Sequence, residues 1–377
     1  MGPIFDGVAS QRPKVCIIFF HSHLPKFHRN ELKVALKVIK SASRYTESAL
    51  DELKLLKALD LPASAHPGRS NLIALLDNFY HHGPHGTHVC MVFEPAGENL
   101  LDMIRQYRHS YRGVPVQVVR EIGKQVLLGL DYIHRVCGLI HTGNNFNTTP
   151  SNPHVFPDIK PENILFSFQS VDYHHERIRV KIADLGNATW VNHRFTDFIQ
   201  TRQYRSPEVI VGAKWDTTAD IWSWACVAFE LLTLTYLFCP ESVPGYPREE
   251  DHLAQILELC SSGLVPRSLL NGTDSSKYLN RYGELRHIPP TALRPHSLSN
   301  VLYHKHRFSR TDAESISLFL LPMLEVDPKR RASAAQMLQH PFVATLLSRR
   351  ERDAVEGRLY GSNRTPSRTT TSSRSWR

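Results

Sequence analysis

The order of hydrophobic and polar positions divides the chain into a sheet-rich start and a helical remainder. Residues 34–39 alternate as a half-buried strand should, and the apolar spacing beyond Thr46, a candidate N-cap, is that of an amphipathic helix. Residues 71–76 and 87–94 have the composition of two further strands. The apolar run 15–20 is too short to cross a membrane or to form a usual signal-peptide core, so we expect a buried strand there.

Helical periodicity dominates from residue 100 onward. It predicts helices over residues 116–134, 251–259 and 313–324. Residues 221–232 are apolar on nearly every side, which is expected for a helix buried in the middle of a large lobe. Strands followed by helices predict an α+β fold of two unequal lobes, a small β-rich lobe and a large helical lobe.

Composition is that of a globular protein without covalent or metal cross-links. The chain has 377 residues and 41% of them are hydrophobic, which is enough for a sizeable core. Its six cysteines form no Cys-x-x-Cys pair, and its 21 histidines lack the spacing of a zinc site. We therefore expect reduced thiols, no disulfide framework and no structural zinc, as in a cytoplasmic or nuclear protein.

Positive charge is concentrated at the C-terminal end. Residues 345–377 contain eight arginines and three acidic residues, so they supply +5 of the formal net charge of +9. This segment is also rich in serine and threonine, which predicts a disordered basic tail. Its charge would attract nucleic acid non-specifically, but no recognition motif accompanies it, so we expect no direct nucleic-acid partner.

Two polar motifs carry the candidate chemistry. They are Asp158-Ile-Lys160-Pro-Glu-Asn163 and, after a strand-like segment, Asp184-Leu-Gly186. Phosphoryl transfer from ATP needs a carboxylate that accepts the proton of the attacking hydroxyl, here Asp158, and a cation on the transferred group, here Lys160. It also needs oxygen ligands for Mg²⁺, which Asn163 and Asp184 would supply. Either motif alone is equally well explained as a helix cap or a turn.

Further motifs in the same order favour phosphoryl transfer. Ser206-Pro-Glu208 stands where protein kinases carry Ala-Pro-Glu, and Asp220 opens the apolar segment described above. The stretch 327–331, Asp-Pro-Lys-Arg-Arg, precedes the last predicted helices. We expect Glu208 to form a buried ion pair with Arg331. The segment from Asp184 to Glu208 contains no obvious arginine cluster for a phosphate, so we also expect activity without its phosphorylation.

The small lobe would hold the nucleotide. Lys37 lies in the strand where protein kinases place the lysine that contacts the α- and β-phosphates, and Glu52 of the next helix would pair with it. In the connection between the lobes, the backbone of Glu94 and Ala96 would hydrogen-bond adenine. Phe93 would guard the pocket behind that site.

The chain resembles the SR-protein kinases, which phosphorylate serines in arginine-serine repeats of splicing factors. The matching stretches span about residues 34–342, and Asp184-Leu-Gly-Asn-Ala188 and Gln200-Thr-Arg-Gln-Tyr-Arg205 are the most specific of them. The resemblance implies a monomeric cytoplasmic and nuclear serine/threonine kinase that uses ATP and Mg²⁺ and regulates splicing. The dual-specificity splicing kinases are a second, more distant resemblance, because they differ at residues 250–258.

Family resemblance also implies how an arginine-rich substrate would be held. The acidic docking groove of the family maps onto Asp251 and Glu258, which are seven residues apart and therefore on one face of a helix. Glu241, Glu249 and Glu250 are candidates for further negative charge. A third aspartate of the family groove aligns with Thr235 here, so we expect a weaker grip on the substrate.

Two departures separate this chain from the family pattern. Residues 1–33 contain only Gly2 and Gly7, so the Gly-x-Gly-x-x-Gly hairpin that covers the phosphates is missing. Residues 143–157 interrupt the catalytic motif between Thr142 and Asp158 and consist largely of turn formers. A translated intron would explain this insertion, because Gly-Asn and Pro-Asp codons can carry splice signals. The alternative is a genuine surface loop, whose closure costs only a few kcal/mol for ~15 residues.

These observations predict four parts and leave two functions open. The parts are an atypical segment 1–33, an incomplete small lobe 34–96, a large lobe 97–344 with its insertion, and the tail 345–377. The first function is a kinase acting on Arg-Ser-rich proteins. The second is a catalytically impaired module that binds arginine-rich partners, which the missing glycine hairpin favours and the intact charged motifs oppose.

Overall fold

The computed structural model describes residues 15–22, 32–60, 66–109, 113–141, 158–167, 178–186, 188–191, 199–260 and 264–357. The first part is an antiparallel sheet with one helix against it. Its strands are β1 (Val15–Ser22), β2 (Leu32–Ile39), β3 (Leu75–Gly83) and β4 (Gly86–Phe93), in the order β1-β2-β4-β3. Its helix is α1 (Ser43–Ala58), whose residues Ala49, Leu53 and Leu56 are buried.

Strand β1 extends the small lobe beyond the predicted boundary at residue 34. It pairs antiparallel with β2 along its whole length, from Val15 opposite Ile39 to Ser22 opposite Leu32. The strand expected at 15–20 is therefore present. Residues 23–31, which connect β1 to β2 and contain no glycine, lie outside the described residues.

The larger part of the chain is helical, with two small sheets at the junction of the lobes. Its strands are β5 (Ala96–Asn99), β6 (Leu139–Ile140), β7 (Ile164–Ser167), β8 (Val180–Ile182) and β9 (Thr189–Trp190), paired as β5-β7-β8 and β6-β9. Its first helices are α2 (Leu100–His109), α3 (Val116–Asp131), α4 (Pro207–Ile210), α5 (Thr218–Thr233) and α6 (Arg248–Cys260). They are followed by α7 (Ser275–Tyr278), α8 (Leu298–Asn300), α9 (Arg310–Leu320), α10 (Ala334–Leu338), α11 (Pro341–Ala344) and α12 (Arg349–Val355). The predicted α+β architecture of two unequal lobes is confirmed.

Helix α5 is the centre of the large lobe, as its apolar sequence predicts. Trp222 and Trp224 are fully buried, and the ring of Trp222 stacks on Phe238 with centroids 5.8 Å apart. A helix surrounded by protein on all sides gives the lobe a fixed frame for the residues at its ends. Among the described helices, none combines the length and the apolar character that a membrane span requires.

Residues 345–357 are ordered, although we predicted them to belong to a disordered tail. Ser348 caps α12 in a reciprocal capping box with Glu351, and Leu347 and Val355 are buried. The guanidinium of Arg135 donates to the carbonyl of Ala354 at 3.3 Å, which ties α12 to the large lobe. The rest of the predicted tail, 358–377, lies outside the described residues.

Candidate active site

The predicted pair between Lys37 and Glu52 is formed at the centre of the small lobe. Lys37 Nζ lies 2.7 Å from one carboxylate oxygen of Glu52 and 2.9 Å from the other. A third group, Asp184 Oδ1, lies 3.9 Å from the same ammonium. Burial by itself would lower the pKa of Lys37, but the two carboxylates raise it above its usual value, so the ammonium stays charged.

Close packing holds Asp184 and its neighbours against α1. A Cβ atom on Gly186 would come within 2.9 Å of the Glu52 carboxylate, so a larger residue there would displace the carboxylate that holds Lys37. Asp184 itself has the left-handed backbone conformation, with φ of 56°, which is uncommon for a residue with a side chain. Its side chain is 37% exposed and is therefore accessible to a ligand between the lobes.

Asp158 is buried, and only one of its two carboxylate oxygens receives a hydrogen bond from the described residues. The backbone N–H of Thr201 donates to Oδ2 at 2.5 Å, and Lys160 Nζ lies 3.6 Å from Oδ1. Among the described groups none donates a hydrogen bond to Oδ1, although this oxygen is buried. Burial raises the pKa of the Asp158 carboxyl, and the Lys160 charge offsets this only in part. An open acceptor oxygen is what a substrate hydroxyl requires.

The Asn163 side chain is tied to the catalytic loop through its amide nitrogen. Its Nδ2 donates to the carbonyl of Asp158 at 2.9 Å, which leaves Oδ1 for other partners. The carbonyl of Asn163 accepts from Ala183 N–H at 2.8 Å, and this bond places Asn163 beside Asp184. One amide oxygen and one carboxylate suit Mg²⁺, which commonly takes one or two carboxylates and completes its shell with phosphates and water. The described residues contain no group of three or more acidic, histidine or cysteine side chains that would form a complete protein cage.

In the connection between the lobes, the hydrogen bonds of Glu94 determine which of its backbone groups can meet a ligand. The N–H of Glu94 donates to the carbonyl of Ala74 at 3.1 Å, so only the carbonyl of Glu94 remains as an acceptor for adenine. The Glu94 side chain accepts from Ala74 N–H at 2.7 Å and pairs with Lys181 at 2.9 Å. Phe93 is the last residue of β4 and is half-buried.

Gln200 has a structural role that no sequence motif indicated. The residue is buried and has a positive φ of 66°, and its side chain bonds in two directions. Nε2 donates to Ala219 O and to Ser223 Oγ of α5, while Oε1 accepts from Ser206 N–H and Oγ–H. One side chain therefore fixes the segment after Thr201 to the central helix. No phosphate is needed for this connection.

Two further links join the catalytic segment to α5. Asp220 Oδ2 accepts from the backbone N–H of His141 at 2.9 Å and lies 2.8 Å from His134 Nε2. Tyr204 donates its hydroxyl to the buried Glu230 carboxylate at 2.7 Å. Residues 142–157, including the insertion 143–157, lie outside the described residues.

The predicted ion pair between Glu208 and Arg331 is formed and fully buried. Arg331 Nη1 and Nη2 donate to the two Glu208 oxygens at 2.6 and 2.8 Å, and both side chains are 0% exposed. The same guanidinium lies over the ring of Trp222, 4.9 Å from its centroid. This pair anchors the end of the segment that began at Asp184.

Helix α6 carries the predicted docking carboxylates, and each uses one oxygen to hold a neighbouring loop. Asp251 Oδ2 accepts from Glu241 N–H at 2.9 Å, and Glu258 Oε1 accepts from Arg294 N–H at 2.8 Å. Both side chains are partly exposed, so the second oxygens are free to face solvent.

Two of the other acidic candidates do not contribute free charge. Glu250 is buried and is bonded to the N–H groups of His287 and Ile288, so our expectation for it is wrong. Glu249 pairs with Arg202 at 2.8 Å.

Gln200→Ala is expected to lower kcat while phosphatase treatment of the native protein leaves kcat unchanged. The substitution removes all four hydrogen bonds that hold the segment, and unsatisfied buried groups cost about 1–3 kcal/mol. Steady-state kinetics before and after phosphatase tests both statements. Loss of activity on phosphatase treatment would contradict the view that this side chain replaces a phosphate.

Comparisons with known proteins identify relatives along most of the chain. The protein kinase domain model matches residues 25–343. The chain is 41% identical over 363 residues to a Physarum polycephalum protein named serine/threonine-protein kinase SRPK, with 83% of this chain and 80% of that protein covered. It is 36% identical to protein kinase dsk1 of Schizosaccharomyces pombe, covering 82% of this chain and 76% of dsk1. Human SRSF protein kinase 3 is 31% identical to this chain, and the alignment covers 82% of this chain and 81% of the human protein.

Proposed function

Because the chain belongs to the SR-protein kinases, a family of serine/threonine protein kinases, we propose that it transfers the γ-phosphate of ATP to serines of Arg-Ser-rich proteins. Kinase activity follows from the family. The observation that carries the substrate proposal is the pair of partly exposed carboxylates on α6, Asp251 and Glu258, since guanidinium groups pair with carboxylates in bidentate fashion.

Each residue of the proposed site has a separate role in phosphoryl transfer. Asp158 presents its open Oδ1 to the serine hydroxyl, orients it and accepts its proton, while Lys160 neutralises charge on the transferred group. Lys37, held by Glu52, positions the α- and β-phosphates. Asn163 Oδ1 and Asp184 would hold Mg²⁺, which neutralises phosphate charge when bound. The carbonyl of Glu94 and the backbone of Ala96 orient adenine beside Phe93.

Removal of the two charges on α6 is expected to weaken binding of a long Arg-Ser repeat by about tenfold. Each partly exposed ion pair is expected to contribute about 0.7 kcal/mol to the binding free energy, and the two losses together correspond to this factor. The variant is Asp251→Asn with Glu258→Gln, because the amide oxygens still accept from Glu241 N–H and Arg294 N–H and so preserve the loops. Affinity for a minimal peptide that reaches only the active site should remain nearly unchanged. Fluorescence anisotropy at two salt concentrations measures both effects.

A matched control removes two exposed acids elsewhere, with Glu47→Gln and Glu314→Gln. It should leave the affinity for both peptides unchanged. Equal losses for the long and the minimal peptide in the α6 variant would show that these carboxylates are not a remote docking site.

Thr235→Asp is expected to tighten binding of the same repeat by about 1 kcal/mol, the scale of one partly exposed ion pair. Thr235 is exposed, and its hydroxyl contacts only the neighbouring Thr233 Oγ1 at 3.1 Å among the described side chains. Thr235→Asn is the matched control without charge. An affinity that is equal for the aspartate and asparagine variants would exclude an electrostatic contribution from this position.

A second candidate function is a binding module for arginine-rich partners without efficient catalysis. It is favoured by the sequence before β1, where residues 1–14 contain only Gly2 and Gly7. Protein kinases place the lysine on their third strand and the phosphate-covering hairpin between the first two strands, so with Lys37 on β2 this hairpin would precede β1. Isothermal titration with Mg-ATP separates the two. Micromolar affinity supports the kinase, whereas millimolar or undetectable affinity together with intact binding of an Arg-Ser peptide supports the module.

We also propose that the protein is a monomer of the cytoplasm and nucleus. Cys90, Cys137, Cys226, Cys239 and Cys260 are free thiols, which suits a reducing compartment. The small lobe would comprise β1 and residues 34–96, and the large lobe would extend from residue 97 through α12.

A further inference from the structure

A strongly basic turn joins the α8 region to α9 on the surface of the large lobe. Residues 303–310, Tyr-His-Lys-His-Arg-Phe-Ser-Arg, form this basic turn. It begins inside a π-helical segment, Val301–Lys305, and ends at Arg310, the first residue of α9 after the N-cap Ser309. The side chains of Lys305, Arg307 and Arg310 are exposed. The docking groove and the catalytic residues use none of these groups.

The three cations of the basic turn have no counter-charge. Within the described part of the chain, no carboxylate lies within ion-pair distance of Lys305, Arg307 or Arg310. The acid nearest in sequence, Asp312, accepts a hydrogen bond from the Ser309 hydroxyl at 2.8 Å. Lys37, Arg202 and Arg331, by contrast, each have a carboxylate partner. Uncompensated positive charge in eight residues is a potential anion site.

The backbone that carries these cations has a defined conformation. Phe308 N–H donates to Leu302 O at 3.1 Å, which closes the turn, and Arg307 has the left-handed conformation with φ of 61°. His306 points inward, with its ring edge-on to Phe229 at 5.5 Å, and burial lowers its pKa. A strained backbone held by packing is common at ligand sites because it orients side chains in advance.

A small cavity lies within the basic turn. It has a volume of about 250 Å³ and is lined by Tyr303, His304, Arg307 and Phe308. Arg310 lies over the Tyr303 ring, 5.3 Å from its centroid, so this aromatic face is already covered. The volume is below the ~300–1,000 Å³ typical of sites for drug-sized ligands. A phosphate group on a short side chain fits this space better than a nucleobase that needs an open stacking face.

We propose that the basic turn is a binding site for phosphoserine in a peptide. A phosphate monoester carries about −1.5 to −2 charge at neutral pH and offers three acceptor oxygens to three cations that have no carboxylate partner. Arg307 borders the cavity, and Lys305 and Arg310 flank it along the chain. The inference does not depend on the proposed substrate, because any phosphoserine peptide of suitable shape would be a ligand.

Binding is tested on the full chain without ATP, by anisotropy of a short, otherwise uncharged peptide with one phosphoserine. Lys305→Gln with Arg310→Gln is expected to weaken binding about tenfold, equivalent to about 1.4 kcal/mol. Lys305→Gln alone leaves the contact of Arg310 with Tyr303 intact, should give a smaller loss, and covers the case in which the double variant does not fold. Lys54→Gln with Lys277→Gln removes two exposed charges elsewhere and should have no effect.

Two results would overturn the proposal. One is a phosphopeptide affinity that is the same in the native chain, the basic-turn variants and the control. The other is binding of a short oligouridylate that is as tight as that of the phosphopeptide and equally sensitive to the variants, since this would identify a nucleic-acid surface. This experiment measures binding and not turnover. Its result can therefore be interpreted even if the protein proves to have no kinase activity.

Discussion

Asp158→Ala is expected to lower kcat by about 10³-fold, within the 10²- to 10⁴-fold range of general acid–base catalysis, with nucleotide affinity nearly unchanged. The reason is that Asp158 contacts Thr201 and Lys160 and offers its open oxygen to the hydroxyl, but it is not placed to hold ATP in the ground state. Asp184→Ala should instead weaken magnesium-dependent nucleotide binding, because Asp184 faces the Lys37 ammonium in the phosphate region. Single-turnover kinetics and nucleotide titration separate the two effects.

The pH profile gives an independent check on Asp158. Burial raises the pKa of this carboxyl, and the residue must be deprotonated to accept the serine proton. Acidification should therefore reduce kcat/KM beginning at a higher pH than an ordinary aspartate would give, with activity restored as the pH rises. Asp158→Asn, which keeps an acceptor for Thr201 N–H, should be as inactive as the alanine variant. Full activity of either variant would show that the assigned role is wrong.

Arg331→Ala is expected to lower the free energy of unfolding by about 3–5 kcal/mol. The substitution leaves the Glu208 carboxylate buried without its bidentate partner and removes the cation over Trp222. Urea unfolding monitored by tryptophan fluorescence measures the change. The matched control is Arg330→Ala, whose side chain is 75% exposed and only approaches Glu325 at 3.6 Å, so its effect should be below about 0.5 kcal/mol.

A compensating pair tests the cause of this loss. Glu208→Leu with Arg331→Met removes both buried charges at once and should recover much of the stability, because no charge is then left unpaired. If the double variant is no more stable than Arg331→Ala, the loss of stability comes from altered packing around Trp222 and not from the unpaired buried carboxylate of Glu208.

Charged motifs with a defined chemistry were predictable from the sequence. Lys37 and Glu52 pair because a buried ammonium requires a carboxylate, and the strand and helix that carry them were readable from their apolar periods. The apolar segment within α5 likewise predicts a buried helix. The first helix is less well predicted. It begins at Ser43 rather than after Thr46, whose hydroxyl donates to Ala42 O and does not cap the helix.

Contacts between distant segments explain what the sequence could not reveal. In the sequence Gln200 is an ordinary polar residue. In the structure its backbone has a positive φ, and its side chain forms hydrogen bonds with Ser206 and Ser223. Glu250 resembles an exposed helical acid, but it is buried against His287, which is 37 positions away along the chain. Neither relation leaves a local signal. The order of residues 345–357, by contrast, had one, because Ser348 and Glu351 have the spacing of a capping box.

Transfer of labelled γ-phosphate to an Arg-Ser repeat peptide by the purified chain is the most direct test of the proposed function. The native chain with Mg-ATP should place phosphate on serine, with kcat/KM for the Arg-Ser peptide above that for a Lys-Ser peptide of equal charge, because only arginine pairs in bidentate fashion with the α6 carboxylates. Asp158→Ala should give background transfer only. Native transfer no greater than that of Asp158→Ala would contradict the kinase, and equal use of the two peptides would contradict the Arg-Ser preference.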